Sequence, residues 1–311
     1  MFSRGRAIVF FWSFLFCTPA NSQMQPLRPE MTKIVVGFGP QGIAFTPGAA
    51  WVTYGNDNEF GVARIDAGTN QVVARVQTGR WPVGAATGEG SVWIVNRDDN
   101  TLTRIDAESN RIIATILVGK KPIGVDVGAG SIWVTNSGGG SVSRIDPQTN
   151  SVTATIHVGS EPFGISVNNG LVWVINAGGA YSGSLMCIDP NSNAVTKKIK
   201  VPWSNIVLAI DNSVWVATLQ GGVIRVDAQS GSVLRRIFAG GALSGLAVSK
   251  DFLWAANNAN GTLWKIDLQA NNVVGTVDVG KKPIIFGRGV DSDGAIWISN
   301  VADGTVMKFK P

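Results

Sequence analysis

One histidine, His157, and two cysteines, Cys17 and Cys187, are all the imidazole and thiol ligands that 311 residues provide. A zinc, copper or haem centre needs several imidazoles or thiolates held together, and this chain has no cluster of them. Charge is also sparse: 15% of residues are Asp, Glu, Lys or Arg, and the net charge is +5. That surplus is too weak by itself to argue for a nucleic-acid partner. No glycine-rich phosphate loop stands between a strand and a helix. The longest apolar run, Ala7 to Phe16, is too short to cross a bilayer.

That run has another reading. Arg4 and Arg6 precede it, and small residues follow at Ala20 and Ser22. Positive flank, short apolar segment and small-residue cleavage site form a secretory signal peptide. We read residues 1–22 as the signal, cleaved after Ala20 or Ser22, and 23–311 as one exported domain, periplasmic or secreted. Loss of Arg4 and Arg6 lowers the charge from +5 to +3. Cys187 is then the only thiol, so no internal disulfide forms and the core alone must stabilise the chain.

Tryptophan, by contrast, recurs at Trp51, Trp93, Trp133, Trp173, Trp215, Trp254 and Trp297, at intervals of 39 to 43 residues. A fixed period of this size marks a repeat architecture. The stretch Lys120 to Gly159 shows the unit. Four short apolar-alternating runs, Ile123–Val127, Ser131–Asn136, Ser141–Ile145 and Ser151–Val158, are separated by Gly-, Ser- and Asn-rich turns. Four strands per repeat without helical periodicity predict a β-propeller blade. The fold class is therefore all-β, a seven-bladed propeller of four-stranded blades.

Each recurring residue has a physical task. The tryptophan lies in the second strand, between neighbouring blades, where it removes a large area from water. The glycine nine residues earlier (Gly42, Gly84, Gly124, Gly164, Gly245) lies in the innermost strand, where a side chain would clash. The Asp of the R-I-D triplet ends the third strand and bonds backbone N–H groups of the following turn. Four residues on stands Asn or, once, Gly231, the types that tolerate a left-handed conformation. Thr32 to Gly37 matches a fourth strand, and Gly304 to Lys310 matches a third. The N-terminal strand therefore completes the last blade, closing the ring and covering a sheet edge. Blade four carries an insertion, Gly178 to Ser184, and blade seven a longer stretch, Ile284 to Gly294.

The pattern P-x-G-[IV]…VW[VI]xN…SxRIDPxTNxVxxTIxVG resembles the YVTN family of bacterial seven-bladed propellers, and it is similar to the repeats of the streptogramin B (virginiamycin B) lyases. The resemblance spans the whole mature chain and implies the fold. The lyase chemistry depends on histidine with a metal-binding acid, whereas His157 lies alone in an outermost strand.

Function should sit where residues break the repeat, at the face holding the loops into the first strand and out of the second. There we place Trp81, Arg97, Lys121, Glu161, Trp203 and Lys282 as ligand-binding candidates, with Asn96, Asn136 and Asn176 at the ends of second strands. Asp126 joins them as the one acid in an inner strand, where other blades carry Ala44, Ala86, Ser166 and Ala247. Aromatics beside cations suit planar, sugar-like or anionic ligands. The leading expectation is a non-catalytic, monomeric binder of a small molecule or protein, with no cofactor and no metal. Its rivals are a lyase- or lactonase-like enzyme working through central acids, and a single-strand nucleic-acid binder stacking bases on Trp81 and Trp203.

Overall fold

Seven antiparallel sheets follow one another in a computed structural model that describes residues 26–178, 182–238 and 240–311. The signal segment 1–22 and part of the blade-four insertion lie outside the described residues. Blade three shows the plan: Pro122–Gly128 innermost, then Ser131–Asn136, Ser141–Asp146 and Ser151–His157 outermost. All seven repeat tryptophans are buried in second strands, and they are the largest fully enclosed side chains. The inner glycines behave as the sequence predicts. A Cβ on Gly84 would stand 2.4 Å from the Ile123 carbonyl oxygen, and one on Gly124 would stand 2.5 Å from that of Phe163. Each blade's inner strand thus presses directly on the backbone of the next. Thr135 adds a bond across the same seam, its hydroxyl donating to the Phe163 carbonyl at 2.7 Å.

Met31–Val35 pairs antiparallel with Thr305–Phe309 and completes blade seven. Just before it, the Leu27 N–H donates to the Thr276 carbonyl at 2.7 Å in blade six. The N-terminal segment therefore straps the seam between blades six and seven.

The Asp turns form as expected. Asp66 accepts from the N–H groups of Gly68 and Thr69, and Asp227 from that of Ser230. The Thr69 amide, and then its hydroxyl, hold the Asp66 carboxyl below its ordinary range; at Asp106 the Ser109 hydroxyl leads and its amide follows. The residue four places on has positive φ in each case, from Asn193 at 52° to Gly231 at 76°.

The arginine of R-I-D has a second task, in the neighbouring blade. Arg64, Arg104, Arg144 and Arg225 lie over their own blade's tryptophan, with Arg104 4.8 Å from the Trp93 ring centroid. Each then reaches the turn Asn of the next blade: Asn110, Asn150, Asn193 and Asn271, at 2.8 to 3.1 Å. Lys308 does the same to Asn70 at the closing seam. At the seam of blades four and five both partners are absent together: Cys187 replaces the cation and Gly231 the asparagine. A charged hydrogen bond is worth about 1.5–3 kcal/mol. We expect Cys187→Arg alone to destabilise, because it buries an unpartnered cation. Adding Gly231→Asn should restore stability, with a coupling of about 1 kcal/mol or more in a denaturation double-mutant cycle. Strict additivity of the two changes would refute the clamp.

Blade seven departs from the plan. Its inner strand is Pro283–Ile284 only; Phe286–Gly287 leaves the blade and pairs in parallel with Gly42–Ile43 of blade one. Ile285 stands where five blades carry the inner glycine and is 1% exposed, but Ile206 fills the same place in blade five without disturbing its strand Ser204–Ile210. What sets blade seven apart is its glycines: Gly287 at φ 118° and Gly289 at φ 66° permit the bend across the axis.

Candidate functional site

The inner strands of blades two to five have a sheet neighbour on one side only, so each presents an unpaired backbone edge to the axis; that of blade six is bridged there at Gly245 by Ile285. Around that axis lies a cavity of about 600 Å³. Its wall runs from the level of the inner glycines (Gly84, Gly124, Gly164) to the turns between first and second strands (Pro47, Asn168, Ile210), where it opens. Most of the lining is apolar, including Ile43, Val125, Ile165, Leu208 and Val248. At the other end Phe286 crosses the axis and meets Phe163 edge to face, ring centroids 5.9 Å apart. The bend in blade seven thus converts a through-channel into a blind pocket.

Three charged side chains line it: Asp126, Arg288 and Asp291. Asp126 is half-buried and turned towards blade four; its two oxygens accept from the Val127 N–H at 2.9 Å and the Val167 N–H at 2.8 Å. Burial raises its carboxyl pKa; the Val167 amide, the nearby Arg288 charge and the Val127 amide offset part of that rise. Ser166 is its counterpart one blade on, accepting from the Ala209 N–H at 3.0 Å. Asp291 is a turn cap: it accepts from the Asp293 and Ala295 N–H groups and from the Trp297 indole N–H at 2.8 Å. Arg288 is exposed within the cavity, and its guanidinium has no hydrogen bond and no ion pair among the described residues. It is the free charge of the pocket.

Of the candidates read from the sequence, Asp126 lines this cavity. Trp81, Lys121, Glu161, Trp203 and Lys282 lie in the turns leading into the inner strands, on the far side of the Phe163–Phe286 pair. Trp81, Lys121, Glu161 and Lys282 are equivalent left-handed turn residues, φ 48° to 53°. The Trp81, Lys121, Glu161 and Trp203 carbonyls accept from the residue after the second strand, Arg97 N–H in the first case. Trp81 and Trp203 remain 40% and 39% exposed there. Arg97 pairs with Asp98 at 3.4 Å, beside the Arg80–Asp99 pair at 2.7 Å. Asn96, Asn136 and Asn176 are buried with their amide N–H groups engaged: Asn96 donates to Thr101 and Thr103 and Asn136 to Ser141 and Ser143 within their own blades, and Asn176 donates to the Val158 carbonyl at the end of blade three. None of the three lines the cavity.

Sequence reasoning missed Arg288. The signal was present in the unusual stretch Ile284 to Gly294 and in the isoleucine standing where P-x-G requires glycine.

His157 is exposed at the end of blade three's outermost strand. Among the described residues, no group of three or more His, Cys, Asp or Glu side chains is placed to hold a metal ion. Among the described residues no helix is long and apolar enough to cross a membrane.

A hydrazine synthase chain from Kuenenia stuttgartiensis has a similar fold, with a TM-score of 0.78 and 16% identity over 88% of this chain and 96% of that one. At that identity the likeness is one of fold alone. No protein-family model matches the sequence. No curated protein matches it either.

Proposed function

We propose that this is an exported, non-catalytic binding propeller that holds a small molecule in its axial cavity. The blind pocket of about 600 Å³ carries the reading. Ligand sites are typically concave, about 300–1,000 Å³, mostly apolar and furnished with a few polar groups, and this pocket has that composition. The two acids facing it are bonded to backbone and indole donors, and Ser166 accepts a backbone N–H, so none of these three is paired with a base as a nucleophile would be. The signal-like segment 1–22 supports export, and the repeat motifs support the resemblance to the YVTN propellers.

Filling the pocket tests the proposal. Ala86 lines the wall in the slot that Asp126 occupies one blade on. Ala86→Phe should abolish ligand-induced thermal stabilisation. Ser292→Trp, at an exposed position near the mouth, is a milder block should the first variant fold poorly. A ligand that stabilises both folded variants as well as it stabilises the parent would place binding elsewhere.

The opposite face offers a second reading, because Trp81 and Trp203 stay exposed there near Lys121 and Lys282. Single-strand nucleic acid bound there would show affinity falling steeply with salt.

A further inference from the structure

We propose that the axial cavity selects a monocarboxylate with an apolar body, its carboxylate gripped by Arg288 and its body lying against the wall towards Phe286. This deepens the cavity reading and rests on it.

The charge pattern carries the choice. Arg288 offers a planar fork of N–H donors, the geometry that fits a carboxylate in two parallel bonds. It is exposed at the cavity wall with no hydrogen-bond or ion-pair partner among the described residues, which leaves its donors open to a ligand. Asp126 and Asp291 do not claim it: their oxygens are already held by Val127, Val167, Asp293, Ala295 and Trp297. The same two acids set the limit on ligand charge. A dianion such as a phosphate monoester would bring two negative charges beside them with one arginine to compensate, whereas a monoanion is matched one to one. A cationic ligand would face the guanidinium at short range and find both carboxylates engaged. The apolar side chains of the wall, Val125, Ile165 and Leu208 among them, with Phe286 at its closed end, give a hydrocarbon or aromatic body its contacts.

Octanoate and 3-phenylpropionate are suitable probes, with octanol, octylamine and octyl phosphate as charge controls. Titration calorimetry on the purified protein should show saturable binding of both carboxylates, at least about tenfold tighter than any control. Arg288→Ala should weaken carboxylate binding at least about tenfold and leave octanol unchanged, with Arg288→Lys between the two, since a point charge lacks the fork. The unfolding temperature of each variant should stay close to the parent's, because Arg288 makes no hydrogen bond or ion pair among the described residues. Equal affinity for octanol and octanoate, both abolished by Ala86→Phe, would overturn the carboxylate assignment while sustaining the cavity. Carboxylate binding that survives Ala86→Phe and Arg288→Ala alike would overturn both.

Discussion

Removal of residues 31–37 should abolish cooperative unfolding. The segment supplies the whole outer strand of blade seven, paired from Met31–Phe309 to Val35–Thr305, and the Val36 and Gly37 N–H groups both bond the Gly304 carbonyl. Ile34 and Val36 are buried in one cluster with Trp297, Val306 and Ala63, so the strand joins blade seven to blade one. Burying an Ile or Val contributes about 1.5–3 kcal/mol, and five paired residues add a ladder. Domain stability is about 5–15 kcal/mol in total. The deletion also bares Thr305–Phe309 as an unpaired edge next to exposed apolar surface, which invites aggregation. Circular dichroism and calorimetry of the truncated chain should show a broad transition or insoluble protein. A sharp transition at the parent's temperature would contradict the closure.

The two kinds of tryptophan should respond very differently to the same change. Trp133→Ala should lower stability by about 3–5 kcal/mol, since it empties a fully buried site. It also strips Arg144 of the ring 5.1 Å from its guanidinium and leaves the Gly128 carbonyl without its indole donor at 3.0 Å. Trp81→Ala should change stability by less than about 0.5 kcal/mol, because the ring is exposed and its backbone carbonyl, which any residue supplies, makes the contact to Arg97. Urea titration of both variants measures the contrast directly. Comparable losses would mean that Trp81 is a packing residue.

Blade number, strand order, the inner glycines, the Asp turns and the shared last blade were legible in the sequence because each is enforced by one residue type at one place in the repeat. The seam clamps were harder to read. They link R-I-D of one blade to the Asn turn of the next, about one repeat away, so a blade considered alone does not show them. Their trace is the joint absence at Cys187 and Gly231. The position of the pocket was not legible. Residues that break the repeat drew attention to the face bearing Trp81, Lys121, Glu161, Trp203 and Lys282, but periodicity says nothing about depth. Depth is decided by the path of the blade-seven stretch, which carries Phe286 across the axis and Arg288 into the cavity. Asp126 was correctly placed on an inner strand, and its side chain turns out to hold the amide of blade four.

The most direct test of the account is a crystal structure of the protein soaked with octanoate. The account predicts density inside the blind cavity, with the carboxylate on the Arg288 guanidinium and the alkyl chain running towards Phe286. Density on the opposite face, against Trp81 or Trp203, would contradict it.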